Sequence, residues 1–457
     1  MQSQTSSGLK TWPEYIDPVD QTLFPGAIAS VCLFWRNVMM SQTSFWSRIL
    51  VNVDEEPTSL ATIRKHLALS NEHPLHVYLS RRAGHYGSED LAEKVRVAAV
   101  LQLLLPHWGR IWTLHLDVLH AVSLPRVGFE LGDFPPAARS IQLVSHIHDS
   151  IPCPIGSMAI PPTKASHLTS LYLDVSAFRD ILQGSSGKIL PNSVRYLMIS
   201  GDGHGSLRLP VRPLAHCLQR LPDLTALRFV GVRIDIADAR LPASAQLRCL
   251  RELEFEEMDW LLVCELCYQL RLDEHEPLHK LKLKGCTAAR IFIGMFMWLP
   301  PSSHLCIEDI DSSEVVDYIL GAFCRPCSQS LEVVHCRGFD IDVLNSLFDI
   351  RGNNHSLEWL CRFLERLTIK DCTEFSSSEL MSTVDARRVA WERTDSLKPS
   401  DEEFELSPIG TLLVSGCGEL EPDDQEWFDE NVAHVQWDGW IGGFRHTGAP
   451  EGTQETF

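Results

Sequence analysis

LHKLKLKGC, residues 278–286, decides how the rest of this chain is read. Leucines fall at 278, 281 and 283, and Cys286 follows three residues on. In an extended strand, side chains two apart share a face. The spacing therefore sends Leu281 and Leu283 into a core and Lys280, Lys282 and Lys284 toward solvent. A strand this short cannot bury its apolar face alone, so the stretch has meaning only if it recurs.

It does recur. Copies of the spacing begin at Ile111, Ala138, Leu168, Val194, Leu224, Leu250, Leu278, Leu305, Leu331, Leu364 and Ile409, and eight of the ten intervals are 26 to 30 residues. The copies at 111, 168, 224, 250, 278 and 364 are clean, whereas those at 138 and 331 are weak. At 305 Glu308 occupies the central apolar position, and the copy is kept only for its register. The pattern L-x-x-L-x-L-x-x-N/C resembles that of leucine-rich repeats. Helical spacing over 211–221, 260–272, 314–323 and 341–350 supplies a helix between strands. A strand and a helix in each period imply an α/β leucine-rich-repeat solenoid, with parallel strands on one face and helices on the other.

Composition sets the outer bounds. The chain has 457 residues, 44% hydrophobic and 22% charged, as in a globular protein rather than a disordered one. Its net charge of −20 argues against nucleic acid as the main partner, because phosphate binding needs a basic face, but leaves room for a local basic patch. The windows 95–105 and 291–299 are too short to span a bilayer, so no membrane partner is expected. The N-terminus shows no signal peptide. The expected location is cytoplasmic or nuclear, and the fourteen cysteines are expected to be reduced thiols.

The chain parses into a flexible N-terminus (1–23), a helical segment (24–56), a helical linker or first cap (57–107), the irregular repeats (108–417), an acidic cap (418–441) and a disordered tail (442–457). Ile28, Val31, Cys32, Trp35 and Val38 follow helical spacing, with Phe45, Trp46 and Ile49 as a second apolar cluster. Residues 60–70 and 91–105 read as helices and 73–79 as a strand. The charged stretch 385–407 reads as an exposed loop. Seven acids between 419 and 430 surround Trp427 and Phe428, and a helix over 423–432 followed by HVQWDGW would close the open end of the array.

VCLFWRNVMMSQTSFWSRI, residues 31–49, resembles the second half of an F-box, whose recurring ending is V-C-x-x-W-R and a later Trp: Val31, Cys32, Trp35, Arg36 and Trp46. The leading Leu-Pro and first helix of that family have no counterpart in DPVDQTLFPGA, so this half is missing or divergent. An F-box ahead of degenerate leucine-rich repeats and an acidic end is similar to the F-box-like proteins of mushroom-forming fungi. The resemblance implies a non-catalytic substrate-recognition subunit of an SCF-type ubiquitin ligase. Val31, Cys32, Trp35, Arg36 and Trp46 would bind a Skp1-like adaptor, and the array would hold a target protein. The alternative is a repeat scaffold for protein interaction without adaptor binding.

The candidate target-binding residues are solvent-facing strand positions: Arg228, Glu252, Glu254, Lys280 and Lys282. No cofactor, metal site or catalytic set is expected. Cys264/Cys267 and Cys324/Cys327 have C-x-x-C spacing, but the first pair shares a helix face. His146, His148 and Asp149 lack a third ligand, and GDGHG at 201–205 lacks the Lys-Ser/Thr of a phosphate loop. Cys286, Cys372 and Cys417 occupy one repeat position, where a small side chain packs inward and reaches backbone groups of the next repeat.

Overall fold

The computed structural model describes residues 28, 31–82, 90–126, 134–147, 167–183, 190–201, 207–235, 247–270, 272, 276–287, 299–322, 328–347, 350–353, 356–359, 361–395 and 406–444. The expected flexible N-terminus and nearly all of the tail lie outside these residues, as do Cys324, Cys327, His148, Asp149 and residues 202–205. The chain forms two units, Met1–Ile189 and Leu190–Phe457.

In the first unit the order is α1 (Leu33–Ser41), β1 (Arg48–Asn52), α2 (Leu60–Leu69), β2 (Leu75–Ser80), α3 (Glu93–Leu104), β3 (Ile111–His120), β4 (Ser140–Ile147), β5 (Ser170–Asp174) and α4 (Val175–Gln183). Strands β1 to β5 pair in chain order, all parallel. Parallel neighbours need a crossover, which α2 supplies between β1 and β2 and α3 between β2 and β3. Ser59 caps α2 by accepting from the Thr62 amide at 3.1 Å.

In the second unit come β6 (Tyr196–Ser200), β7 (Arg208–Pro210), α5 (Val211–Leu218), β8 (Ala226–Val230), β9 (Arg233–Asp235), β10 (Glu252–Glu256), α6 (Trp260–Gln269), β11 (Leu278–Lys284), β12 (Ser302–Glu308), α7 (Ser313–Ala322), β13 (Ser330–Val334), α8 (Ile341–Ser346), β14 (Ile350–Asn353), β15 (Ser356–Trp359), β16 (Arg366–Lys370), α9 (Ser377–Asp395), β17 (Thr411–Ser415), α10 (Pro422–Asn431), β18 (His434–Trp437) and β19 (Trp440–Gly442). Strands β6, β8, β10 to β13 and β16 to β18 form a parallel ladder in that order, closed by antiparallel β19. The chain is thus mixed α/β, built on parallel strands that alternate with helices. Among the described residues no helix is long and apolar enough to cross a membrane.

Register aligns the apolar positions. Leu227, Leu253, Leu281, Leu305, Leu331 and Leu367 are successive partners, as are Phe229, Phe255, Leu283, Ile307, Val333 and Ile369. All twelve are essentially solvent-free. This register corrects the frame of two copies. Leu305 and Leu331 hold the central position, so the copies begin at Ser302 and Ser328, both 0% exposed. A serine in the slot that leucine fills elsewhere displaced the apolar reading by three residues.

Each unit's ladder also runs beyond 108–417. In the first unit Trp46, just ahead of β1, and Ile49 and Val51 within it take the three positions, and in the second Val432, just ahead of β18, and Val435 and Trp437 within it take them. The first part of the stretch 385–407 read as a loop, residues 385–395, is helix instead. α9 reaches Asp395, and its charges sit at helical spacing, Arg388 pairing with Asp385 at 2.6 Å and Glu392 at 2.5 Å. Residues 396–405 lie outside the described set.

Arg387, fully buried on α9, donates from Nε to the Ser407 carbonyl at 2.8 Å and from Nη2 to the Cys361 and Arg362 carbonyls at 2.9 and 2.8 Å. In the first unit, Arg81 meets Asp90 and Glu93 at 3.0 Å, and Glu93 accepts the Leu119 and His120 amides at 2.8 and 3.1 Å. Removing the Arg387 guanidinium leaves buried carbonyls unpaired, at about 1–3 kcal/mol each. Arg387→Leu is therefore expected to lower the urea stability of the second unit by about 3 kcal/mol. Arg388→Leu is expected to cost less than about 1 kcal/mol.

Candidate functional site

On the solvent side of the second unit, odd strand positions form three rows across the ladder. The middle row passes through Arg228, Glu254, Lys282, Cys306, Glu332 and Thr368. The row toward the strand C-termini passes through Glu256, Lys284, Glu308, Val334 and Lys370. Charges alternate from strand to strand, so neighbours attract. Lys282 lies 2.5 Å from Glu308 and 3.8 Å from Glu254, and Lys284 lies 3.2 Å from Glu256 and 3.3 Å from Glu308. Arg228 pairs with Glu256 and lies 3.5 Å from Glu254. Glu332 takes Lys370 at 2.7 Å and His304 at 3.4 Å.

The electrostatics follow local burial. Burial pushes the Glu254 carboxyl up, outweighing the pull of Arg228 and Lys282. At Glu256 and Glu308 burial also pushes up, but hydrogen bonds from Arg228, and from Lys282 and Lys284, hold both carboxyls below the usual range. Glu332 is held at about 2, first by its hydrogen bond with His304 and then, against burial, by Lys370.

The five candidate target-binding residues therefore divide. Arg228, Glu254 and Lys282 are engaged in the network, while Glu252 and Lys280, partners on the row toward the strand N-termini, have no ion pair among the described residues. The network itself escaped the sequence reading. Its signal was present as E-L-E-F-E and K-L-K-L-K, two strands of opposite sign at matching positions.

A second row lies just past the strand ends. Gly231, Glu257, Gly285, Asp309, His335, Asp371, Gly416 and Asp438 all have φ between 48° and 62°. In the strands that end at Lys284, Val334, Lys370 and Ser415 the residue after this position is a cysteine, which places Cys286, Cys336, Cys372 and Cys417 in one column, the first three buried and Cys417 half-buried. Their thiols point to the preceding strand, not the next one: Cys286 Sγ lies 3.6 Å from the Phe255 carbonyl and Cys336 Sγ 3.6 Å from that of Ile307. Burial pushes Cys286 and Cys336 up to about 12 and Cys372 to about 11. These are inert packing groups. Cys264 and Cys267 are buried on α6, as their spacing implied. At the strand ends Asp309, Asp311, His335, Arg337 and Asp371 line a shallow recess of about 690 Å³.

In the first unit, the F-box-like residues separate by exposure. Val31, Cys32, Trp35 and Arg36 are exposed, and so are the apolar Leu33 and Phe34 beside them at the start of α1. Trp46 is 5% exposed, donating its indole N–H to the Met39 carbonyl at 2.8 Å and packing against His66. His146 pairs with Asp117 at 2.7 Å at the end of β4. Among the described residues no group of three or more His, Cys, Asp or Glu is placed to hold a metal ion.

No protein-family model matches the chain, and no curated protein matches it.

Two outcomes are expected. The ordinary glutamate pKa is about 4.3, so a Glu332 carboxyl held at about 2 contributes stability that is complete above that range and is lost as pH falls toward 2. In urea titrations, the stability gap between the native chain and Glu332→Gln should be constant from pH 7 to about 5 and shrink below about 4. In iodoacetamide labelling at pH 8 read by mass spectrometry, Cys32 and Cys249 should react in the folded chain, while Cys286, Cys336 and Cys372 should react only after unfolding.

Proposed function

We propose that the chain is a leucine-rich-repeat solenoid acting as the substrate-recognition subunit of a ubiquitin ligase, with α1 docking an adaptor and the sheet face holding a target protein. The observation that carries the adaptor role is the apolar surface of α1. Leu33 and Phe34 are 71% and 68% exposed and Trp35 is 45% exposed, all within one helix. Water-exposed aromatic and aliphatic side chains this close together mark a protein contact. They fall in the stretch with the V-C-x-x-W-R ending.

The two tryptophans then take separate roles. Trp35 presents itself to a partner, while Trp46 fills the first apolar position just ahead of β1 and holds α1 to the sheet through Met39. The parallel ladder, with equivalent apolar residues stacked from strand to strand, supports the solenoid reading. The chemistry of ubiquitin transfer would belong to other subunits.

The test is co-purification of an adaptor of the Skp1 type with the full chain. Phe34→Ala/Trp35→Ala should reduce recovery at least about ten-fold with an unchanged melting temperature, since hot-spot aromatics carry about 2 kcal/mol or more each. Trp46→Ala should instead cost about 3–5 kcal/mol of stability. Failure of the native, folded chain to retain the adaptor would leave the scaffold alternative and end the adaptor role.

A further inference from the structure

The N-terminal margin of the sheet in the second unit runs against the sign of the whole chain. The net charge is −20, yet Arg195, Arg251, Lys280 and Arg366 lie on the two rows where the strands begin. The three arginines are exposed and Lys280 is half-buried. None of the four has a carboxylate at ion-pair distance among the described residues. This separates them from Arg228, Lys282, Lys284 and Lys370, whose charges are already met by glutamates of adjacent strands. Two acids, Glu252 and Glu365, share the margin rows.

The ladder fixes the spacing of these cations. Neighbouring strands are about 4.8 Å apart. Arg195 and Arg251 are two strands apart, Arg251 and Lys280 one, and Lys280 and Arg366 three, following the order β6, β8, β10, β11, β12, β13, β16. The row therefore spans about 29 Å, the reach of about nine residues of extended peptide.

We propose that this margin docks an extended, Asp/Glu-rich segment of a partner protein, about nine residues long, that crosses the strands from β6 to β16. The proposal rests on the reading that the sheet face holds a target protein. Charge complementarity selects the occupant: carboxylates spaced along the peptide meet the four cations, while its amides and hydroxyls meet Glu252 and Glu365. A nucleic acid would bring a phosphate at every nucleotide against those two glutamates and against the overall negative field.

The test uses the full chain and a fluorescein-labelled decaglutamate peptide, read by anisotropy at low salt. Binding is expected to weaken with added salt and to fall at least about ten-fold in R195E/R251E/K280E/R366E. Should that variant melt early, R195Q/R251Q is expected to show a smaller loss at unchanged stability. No peptide binding, equal affinity in both variants, or tighter binding of a single-stranded oligonucleotide lost in the same variants would overturn the proposal. Adaptor co-purification on these samples separates the two readings. Peptide binding without the adaptor sinks only the adaptor role, and adaptor retention without peptide binding sinks only this one.

Discussion

Every strand in a parallel ladder must stop, and the amide just past its end still needs an acceptor. In the second unit a left-handed residue meets this requirement repeatedly. The Glu257 amide donates to the Lys284 carbonyl at 2.8 Å, Gly285 to Glu308 at 2.8 Å, Asp309 to Val334 at 3.0 Å and His335 to Lys370 at 2.9 Å. The ladder is thereby extended by one rung in a conformation that reverses the chain. Glycine takes it without strain, and Asp and His are among the residues that tolerate it best. After six of these left-handed residues the following side chain enters the core, as Val232, Met258, Cys286, Ile310, Cys336 and Cys372 do, and after Gly416 the Cys417 side chain is half-buried. Register upstream and packing downstream both depend on it.

That constraint explains which parts of the fold were legible. Where leucine or phenylalanine fills each inward position, as in 250–255 and 278–283, the spacing alone names the strand. Serine at 302 and 328 hid the frame, because the neighbouring strands and helices, not the side chain, make those sites dry. Trp46 was read as a family feature when it is also the first inward residue of the first unit's ladder. α9 was hidden for a different reason. Asp385, Arg388 and Glu392 look like a charged loop in linear order and become paired neighbours only at 3.6 residues per turn.

The surface was less legible than the core. Five solvent-facing residues were nominated from alternation, yet register decides which charges are free. Arg228, Glu254 and Lys282 form ion pairs with neighbouring strands, whereas Glu252 and Lys280, although partners in register, form none among the described residues. Pairing across strands depends on residues roughly 24 to 28 positions apart, a relation that no local pattern contains. The thiols show the same rule. Their shared position was visible in the sequence, but the direction of their carbonyl contacts followed only from the turn that precedes them.

The most direct measurement is native-state hydrogen exchange of the full chain, resolved by mass spectrometry. If one register-locked ladder organises the second unit, the amides of β10, β11, β12 and β13 exchange slowly and lose protection together as urea is raised. β12, the strand least evident in sequence, is the critical segment. Its residues Ser302–Glu308 should match Leu278–Lys284 on either side of the transition. Fast, independent exchange of β12 while β11 and β13 stay protected would contradict the ladder, and with it the rows of charge assigned across it.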